Sequence, residues 1–163
     1  MIITPMLVIF MCLVFVLVFL FIRTIDKRKW LNILVSLVLT PVVYFYMLYP
    51  FLNIVSSFHH EKYFSAEKWA KKPGLRYEMI NHIVSDSVFI GKTKAETEAL
   101  LGTYEWLSWD DNLKQHDDNK WNYGLGLVPG AFNETKECVT FIFEDDRIVD
   151  LERFTEDIVY EDE

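Results

Sequence analysis

The chain of 163 residues has room for one ordinary domain and a short appendage. From Phe51 onward, 12 lysines and arginines stand against 23 aspartates and glutamates, whereas the first fifty residues contain only five charged side chains. An acidic part of this size repels phosphate backbones, which argues against nucleic acids as partners, and two cysteines cannot form a disulfide framework. The uneven charge indicates a membrane part followed by a water-soluble part.

Two uncharged apolar runs, residues 2–22 and 31–52, are each long enough to cross the roughly 30 Å hydrocarbon core of a bilayer. Trp30 lies at one end of the second run and three tyrosines lie near the other, as in the aromatic belts of membrane helices. The first run lacks the basic start and the small-residue cleavage site of a signal peptide. We therefore expect two retained transmembrane helices within residues 1–52, with the lipid bilayer as their surroundings.

The segment that joins the two runs, residues 23–29, contains four basic residues out of seven. The positive-inside rule places such a loop in the cytoplasm, so both termini are expected on the external side. Four lysines between residues 62 and 72 lie near the exit of the second run and would favour the opposite orientation. Because they are farther from the membrane, we expect the N-terminus and the soluble domain on the external side.

The second run also contains polar side chains at helical spacing. Asn32, Ser36 and Thr40 are separated by four residues each, which places them on one face of a helix. Small and polar residues allow membrane helices to approach closely and to form hydrogen bonds with each other. The spacing therefore predicts a helix-packing stripe.

The soluble part reads as a connector over residues 53–74, a domain over 75–154 and a loose acidic tail over 155–163. Helical spacing predicts a helix over 75–85, and Thr93 with Glu96 predicts a capping box for a second helix that ends at Gly102. Alternating apolar residues then predict strands, with polar turns over 110–120 and 129–135; these strands cover 104–109, 121–127, 139–143 and 147–154. We expect an α+β domain with two helices packed on a three- to four-stranded antiparallel sheet.

One segment resembles a known family. Residues 91–102, Gly-Lys-Thr-Lys-Ala-Glu-Thr-Glu-Ala-Leu-Leu-Gly, are similar to the G-x-T-x-x-E-V-x-x-L-L-G helix of the SmpA/OmlA (BamE-like) family. Residues 121–123 and the hairpin-like segment 139–149 follow in the family's order, so the resemblance covers roughly 91–154. It implies a bacterial envelope domain of two helices on a three-stranded antiparallel sheet, which acts by binding. Together with the two spans, the resemblance implies a bacterial inner-membrane protein whose N-terminus and soluble domain are periplasmic.

The chain departs from the family at identifiable positions. Thr97 replaces the usual valine, no proline follows Gly102, and Asp146 replaces the glycine of the final hairpin. Cys12 follows Phe-Met inside an apolar run, so the lipobox of the founding outer-membrane lipoproteins is absent. The resemblance therefore implies the form of the domain that is anchored by ordinary helices, and it supplies no catalytic residues.

The sequence shows no enzyme motif, no cofactor-binding motif and no metal-binding motif. A nucleophile could be assembled from Cys138 and His116, although a small core or edge residue is the simpler interpretation of this cysteine. The Asp110-Asp111-Asn112 segment could supply oxygen ligands to calcium, but it lacks the EF-hand spacing and is typical of a solvated turn. His59 and His60 have no third ligand at a suitable spacing. We therefore expect no enzyme, no cofactor and no metal.

Trp106, Trp109 and Trp121 lie in two neighbouring predicted strands. They belong to the core beneath the helices, or they form an exposed aromatic face for a protein partner. We expect a membrane-anchored, non-enzymatic module that binds another membrane or envelope protein or serves in envelope assembly. The alternative is an accessory subunit that acts through its transmembrane helices, with the stripe of Asn32, Ser36 and Thr40 in contact with a larger membrane complex.

Overall fold

Contacts among the residues divide the chain into two units. The computed structural model describes residues 1–158. The helical unit comprises Met1–His60 together with Pro129–Ala131, and the sheet unit comprises Glu61–Val128 together with the described residues from Phe132 onward. The described secondary structure consists of helices and one four-stranded antiparallel sheet, which confirms the predicted α+β class.

The helical unit is built from the two apolar runs. Helix α1 spans Pro5–Ile25, and the second run forms α2, Lys29–Val43, a π-helical turn, Tyr44–Leu48, and α3, Tyr49–Val55. Pro41 and Pro50 flank the π-helical turn, in which the helix is wider than an α-helix. Proline has no backbone N–H, so it cannot donate a helix hydrogen bond. Both runs are helical, and both are long and apolar enough to cross a membrane.

The connection between α1 and α2 is shorter than the predicted loop. Helix α1 continues to Ile25, so only residues 26–28 are non-helical. The Asp26 carboxylate accepts the Arg28 backbone N–H at 2.7 Å, and the Asn32 side-chain amide donates to the Asp26 carbonyl at 2.8 Å. These bonds satisfy polar groups at the ends of both helices, which closes the hairpin within three residues.

The sheet unit begins with two short helices. Helix α4 spans Ala66–Lys71, where the Ser65 hydroxyl accepts the Lys68 N–H as an N-cap, and α5 spans Tyr77–Ser85. The helix predicted over 75–85 starts later than expected because Pro73 opens a separate 3₁₀ turn before it.

Helix α6, Lys94–Leu101, confirms the predicted capping box. The Glu96 N–H donates to the Thr93 hydroxyl at 3.2 Å, and the Thr93 N–H donates to the Glu96 carboxylate at 2.9 Å. These bonds hold the pKa of Glu96 below its ordinary value, because the Thr93 backbone and hydroxyl both favour the ionised form. The helix ends at Gly102, as predicted, and this glycine has a positive φ of 81° with an extended ψ of 179°.

The four strands follow in chain order and lie side by side in the order β1-β2-β3-β4. Strand β1 is Trp106–Asp110, β2 is Gln115–Gly126, β3 is Thr135–Glu144 and β4 is Arg147–Asp157. Each strand pairs antiparallel with the next one along the chain. The sheet is therefore a meander whose two edges are β1 and β4.

Three strands are longer than predicted: β3 begins at Thr135 instead of at residue 139, and β2 and β4 are also extended. Strand β2 begins at Gln115, inside the predicted polar turn over 110–120, because residues 115–117 pair with the end of β1. Strand β4 continues through 155–157, which the sequence assigned to the loose tail, because these residues pair with residues 135–137 of β3. The remaining tail residues, 159–163, lie outside the described residues.

The core of the sheet unit lies between the helices and one face of the sheet. Trp69 of α4 packs its ring 5.9 Å from that of Tyr123 of β2, and Phe89 packs 5.4 Å from Phe141 of β3. The buried core residues of this unit are Trp69, Tyr77, Met79, Ile80, Ile83, Phe89, Leu101, Trp121, Tyr123, Leu125, Val128, Val139, Phe141, Phe143 and Ile148.

Candidate interaction surface

The strand register assigns each side chain of the sheet to one of two faces. Residues paired directly across antiparallel strands point to the same side, and neighbours along a strand point to opposite sides. Trp121 pairs with Phe141, and this row belongs to the core. Asn122 pairs with Thr140 in the adjacent row. We call the side that carries Asn122 and Thr140 the outer face.

Two large rings from the edge strands meet on the outer face. Trp106 pairs with Asn122, and Phe154 pairs with Cys138. The ring centroids of Trp106 and Phe154 are 6.4 Å apart with an interplanar angle of 83°, and the Lys136 ammonium lies 5.0 Å from the Trp106 ring centroid. Both rings are half-buried. Partly exposed aromatic rings held by their neighbours are typical of protein-binding hot spots.

A row of polar side chains lies beside these rings. The Thr140 hydroxyl donates to the Asn122 side-chain carbonyl at 2.6 Å, and the Asn122 amide donates to the Ser108 hydroxyl at 3.0 Å. Because Asn122 is 1% exposed, these bonds satisfy a buried amide that would otherwise destabilise the sheet. A cleft of about 430 Å³ adjoins the row; its lining consists of Ser108, Thr140, Glu152, Arg153 and Phe154.

Cys138 lies beneath the outer face and is completely buried. Burial raises the pKa of its thiol to about 11, and the nearby Glu156 carboxylate acts in the same direction. The thiol is therefore neutral at physiological pH and behaves as a small apolar side chain.

Gly124 gives the outer face room for larger side chains. A Cβ atom at this position would lie 2.7 Å from the Lys136 Cε atom and 3.0 Å from a Glu105 carboxylate oxygen. The absence of a side chain therefore allows the Lys136 stem to cross β2 and to reach the ring of Trp106.

A buried guanidinium fixes the backbone at Gly124. Arg76 donates to the Gly124 carbonyl at 2.9 Å and to the Trp69 carbonyl at 3.1 Å, and it forms an ion pair with Glu105. Glu105 in turn accepts the Gly124 N–H at 3.0 Å. Arg76 is 8% exposed, and its guanidinium lies 4.8 Å from the Trp69 ring centroid. This Arg76–Glu105 brace holds the β2 backbone that separates the core from the outer face.

The structure places the three predicted tryptophans in different surroundings. Trp121 is 7% exposed and belongs to the core, whereas Trp109 is 53% exposed and packs edge-on against His116 at 5.3 Å. Trp106 lies on the outer face beside Phe154. The three side chains therefore do not form one aromatic face, because the register turns Trp106 and Trp121 to opposite sides of the sheet.

The predicted stripe on the second apolar run is buried within the helical unit. Asn32, Ser36 and Thr40 are 1%, 0% and 5% exposed, and helices α1 and α2 pack against each other. Tyr44 continues the same spacing and is also buried. Among the described residues, the Ser36 hydroxyl and the Asn32 side-chain carbonyl have no hydrogen-bond partner. The stripe is therefore a contact between helices of this chain.

Sequence reasoning missed Phe154, Lys136 and the Arg76–Glu105 brace. Phe154 and Lys136 are brought to Trp106 by pairing across three strands, and no local motif signals that arrangement. Side chains alternate between the two faces along a strand, and Lys136 lies three residues before Val139. This spacing in the sequence is the signal that Lys136 lies on the face opposite Val139.

The sequence disfavours a Cys138–His116 nucleophile and a metal site at His59 and His60, and the structure places these residues as follows. Cys138 pairs with Gly124 near the end of β2, whereas His116 lies at the start of that strand, so they do not form a nucleophile and base. His60 stacks on Tyr49, with ring centroids 4.2 Å apart. Within residues 1–158, no group of three or more His, Cys, Asp and Glu side chains is placed to hold a metal ion.

Comparisons of the chain with protein-family models, with curated proteins and with solved structures each found no significant match.

Proposed function

We propose that this chain is a membrane-anchored, non-enzymatic protein-interaction or envelope-assembly module of a bacterial inner membrane. In this proposal the two apolar helices span the bilayer and the sheet unit binds another membrane or envelope protein. The observation that carries the proposal is the outer face, where Trp106, Phe154 and Lys136 lie together beside a cleft.

The exposure of the apolar helices supports the anchoring. Only 11% of the most apolar window of Pro5–Ile25 and 22% of that of Lys29–Val55 is buried within the protein. Exposed apolar surface of this extent requires lipid or a protein partner around it, because water does not solvate it favourably. A bilayer satisfies the requirement along the full length of both helices.

The basic connection supports the orientation. Arg23, Lys27, Arg28 and Lys29 lie at or beside the turn between α1 and α2, and their charges favour the cytoplasmic side of a membrane. Two spans then return the chain to the external side, so the proposal places the N-terminus and the sheet unit in the periplasm.

Charge on the outer face limits the kind of partner. Asp150, Glu152 and Glu156 of β4 lie on this face according to their pairing with β3. An acidic row beside aromatic rings is complementary to a partner segment that carries basic and apolar side chains. The Lys136 ammonium also lies on this face, but its β4 side is acidic, so the outer face fits a protein segment with basic and apolar side chains.

The family resemblance supports a binding role in the envelope. The segment that resembles the SmpA/OmlA (BamE-like) helix forms α6 with its complete capping box, and the segment that resembles the final hairpin forms β3 and β4. Here a fourth strand, β1, precedes the three strands that the resemblance implies. Trp106 lies on this additional strand, so the proposed binding face uses a feature beyond the family pattern.

Site-specific photocrosslinking in the native host tests the proposal. A photoreactive amino acid at Glu152, which is exposed in the lining of the cleft, should give a discrete protein adduct in the full chain. The matched control is the same amino acid at Leu113, which is 66% exposed on the β1–β2 connection and should give no such adduct. Trp106→Ala should abolish the adduct at Glu152. Equal adducts from both positions, or no adduct from Glu152, would contradict the outer face as the binding surface.

Deletion of the sheet unit separates this proposal from the accessory-subunit alternative. Loss of partner capture supports the binding module, whereas retained capture supports a function in the helices. The accessory-subunit alternative relied on Asn32, Ser36 and Thr40 as a polar contact with a larger complex. These side chains are buried within the helical unit, so they are not available for that contact.

A further inference from the structure

The connection between β2 and β3 is an apolar loop on an otherwise highly charged unit. The chain carries no charged residue from Trp121 to Asn133. Within this stretch Leu127 is 53% exposed and Phe132 is 93% exposed. Large exposed apolar side chains on an uncharged loop offer a contact for another apolar phase.

The loop is held in place by specific bonds. The Asn133 side-chain amide donates to the Val128 carbonyl at 2.9 Å, and the Asn133 side-chain carbonyl accepts the Thr135 N–H at 3.1 Å. Val128 is buried in the core of the sheet unit. At Gly126, φ is +97° and a Cβ atom would lie 2.3 Å from the Gly74 carbonyl oxygen, so the start of the loop requires glycine. The exposure of Phe132 therefore belongs to a defined loop conformation.

The middle of the loop is bonded to the end of the second apolar helix. Pro129–Ala131 belongs to the helical unit, where the Ala131 N–H donates to the Ile54 carbonyl at 2.9 Å. Ile54 lies in the last turn of α3, which ends at Val55. The end of a membrane-spanning helix lies at the boundary between the hydrocarbon and the lipid headgroups. Phe132 follows Ala131 directly in the chain.

We propose that this loop, residues 127–132, is a membrane-contact loop and that Phe132 inserts into the interface of the bilayer. The inference rests on the proposed anchoring by two spans. Lipid is the occupant that fits, because the loop is apolar, uncharged and continuous with the end of a span. Since most of the sheet unit is acidic and is repelled by anionic headgroups, an uncharged loop is the part that can enter the interface at least electrostatic cost.

Spin labels on the full chain test the proposal in vesicles of phosphatidylethanolamine and phosphatidylglycerol. Single cysteines at Ala131, Leu113 and Val38 are introduced in a Cys12→Ser, Cys138→Ala background. The ratio of collision rates with oxygen and with a water-soluble nickel chelate reports the depth of each label. Val38 is 68% exposed on α2 and reports the span, whereas Leu113 is 66% exposed on a charged loop and reports water.

The Ala131 label should give a severalfold higher oxygen-to-nickel ratio than the Leu113 label, and Phe132→Ser should lower that ratio. Two results together would overturn the membrane-contact loop: a Val38 label that lies in lipid, and an Ala131 label that is as accessible to nickel as the Leu113 label. This combination would leave the anchoring by two spans intact. A Val38 label that is accessible to nickel would instead contradict the anchoring itself. An unchanged Ala131 ratio in the Phe132→Ser variant would overturn the role of Phe132.

Discussion

The ring of Trp106 on β1 lies 6.4 Å from the ring of Phe154 on β4, although these are the two edge strands of the sheet. Four flat strands would separate the edges by roughly 14 Å, so the two side chains extend towards each other across the middle strands. The residues between them are small, since Gly124 and Cys138 pair on β2 and β3. We therefore expect the two rings to cover this small residue pair on the outer face.

The cover over Cys138 can be tested by thiol reactivity. Burial raises the pKa of this thiol to about 11 from an ordinary value of 9.0, so uncovering it should raise the reactive thiolate fraction by up to about a hundredfold near neutral pH. We expect Trp106→Ala to accelerate the reaction of Cys138 with a thiol reagent in a Cys12→Ser background. Trp109→Ala is the control and should leave the rate unchanged, because Trp109 packs against His116 instead.

The raised pKa of the Cys138 thiol also makes the free energy of unfolding depend on pH, in a direction that can be predicted. Because folding raises its pKa, the neutral thiol stabilises the folded state fully below pH 9, and this contribution decreases as the pH rises towards 11. The free energy of unfolding of the full chain in detergent should therefore fall more steeply above pH 9 than that of Cys138→Ala. Parallel curves for the two proteins would contradict the burial of the thiol.

Removal of the Arg76 side chain should destabilise the sheet unit strongly. Arg76→Ala removes the guanidinium donor from the Gly124 and Trp69 carbonyls and the counter-ion from Glu105, and such losses typically cost about 3–5 kcal/mol. Glu105 is 39% exposed, so Glu105→Gln should cost less. Denaturation of the full chain in detergent, followed by tryptophan fluorescence, measures both values. Equal and small losses would show that the brace does not hold β2.

The turn between β3 and β4 should accept glycine. Asp145 and Asp146 have φ values of 47° and 65°, the left-handed pair that a type I′ hairpin requires. Asp146→Gly removes this strain and should raise the free energy of unfolding by about 0.5–1 kcal/mol. Asp150→Gly within β4 is the matched control and should lower stability, because glycine weakens a strand. A loss of stability in Asp146→Gly would contradict the assigned turn.

The hairpin of α1 and α2 should depend on the size of residue 36 rather than on its hydroxyl. Ser36 is fully buried, and its hydroxyl has no partner among the described residues, so Ser36→Ala should be neutral or slightly stabilising. Ser36→Leu should destabilise the hairpin by about 1–3 kcal/mol because the helices cannot separate without losing other contacts. Val38→Leu on the exposed side should have no effect. Unfolding of the full chain in mixed detergent measures the three variants.

Local chemistry allowed several elements to be predicted from the sequence. The apolar runs, the Thr93–Glu96 capping box and the alternating strands each depend on residues close in the chain. The first part of β2 was missed because its polar residues pair at an edge and show no apolar alternation. The Trp106–Phe154 pair and the Arg76–Gly124 bond join residues 48 positions apart in each case, so they depend on the register of the whole sheet.

The orientation of the sheet unit is the most direct test of the proposed envelope function. Buried Cys138 is a poor reporter, so Leu113→Cys in a Cys12→Ser background is used, because Leu113 is 66% exposed. Bacteria carrying the full chain are treated with a thiol reagent that crosses the outer membrane but not the inner membrane. We predict that Leu113→Cys is labelled in intact cells, which places the sheet unit in the periplasm. Labelling only after lysis of the inner membrane would place it in the cytoplasm and would contradict the proposed envelope function.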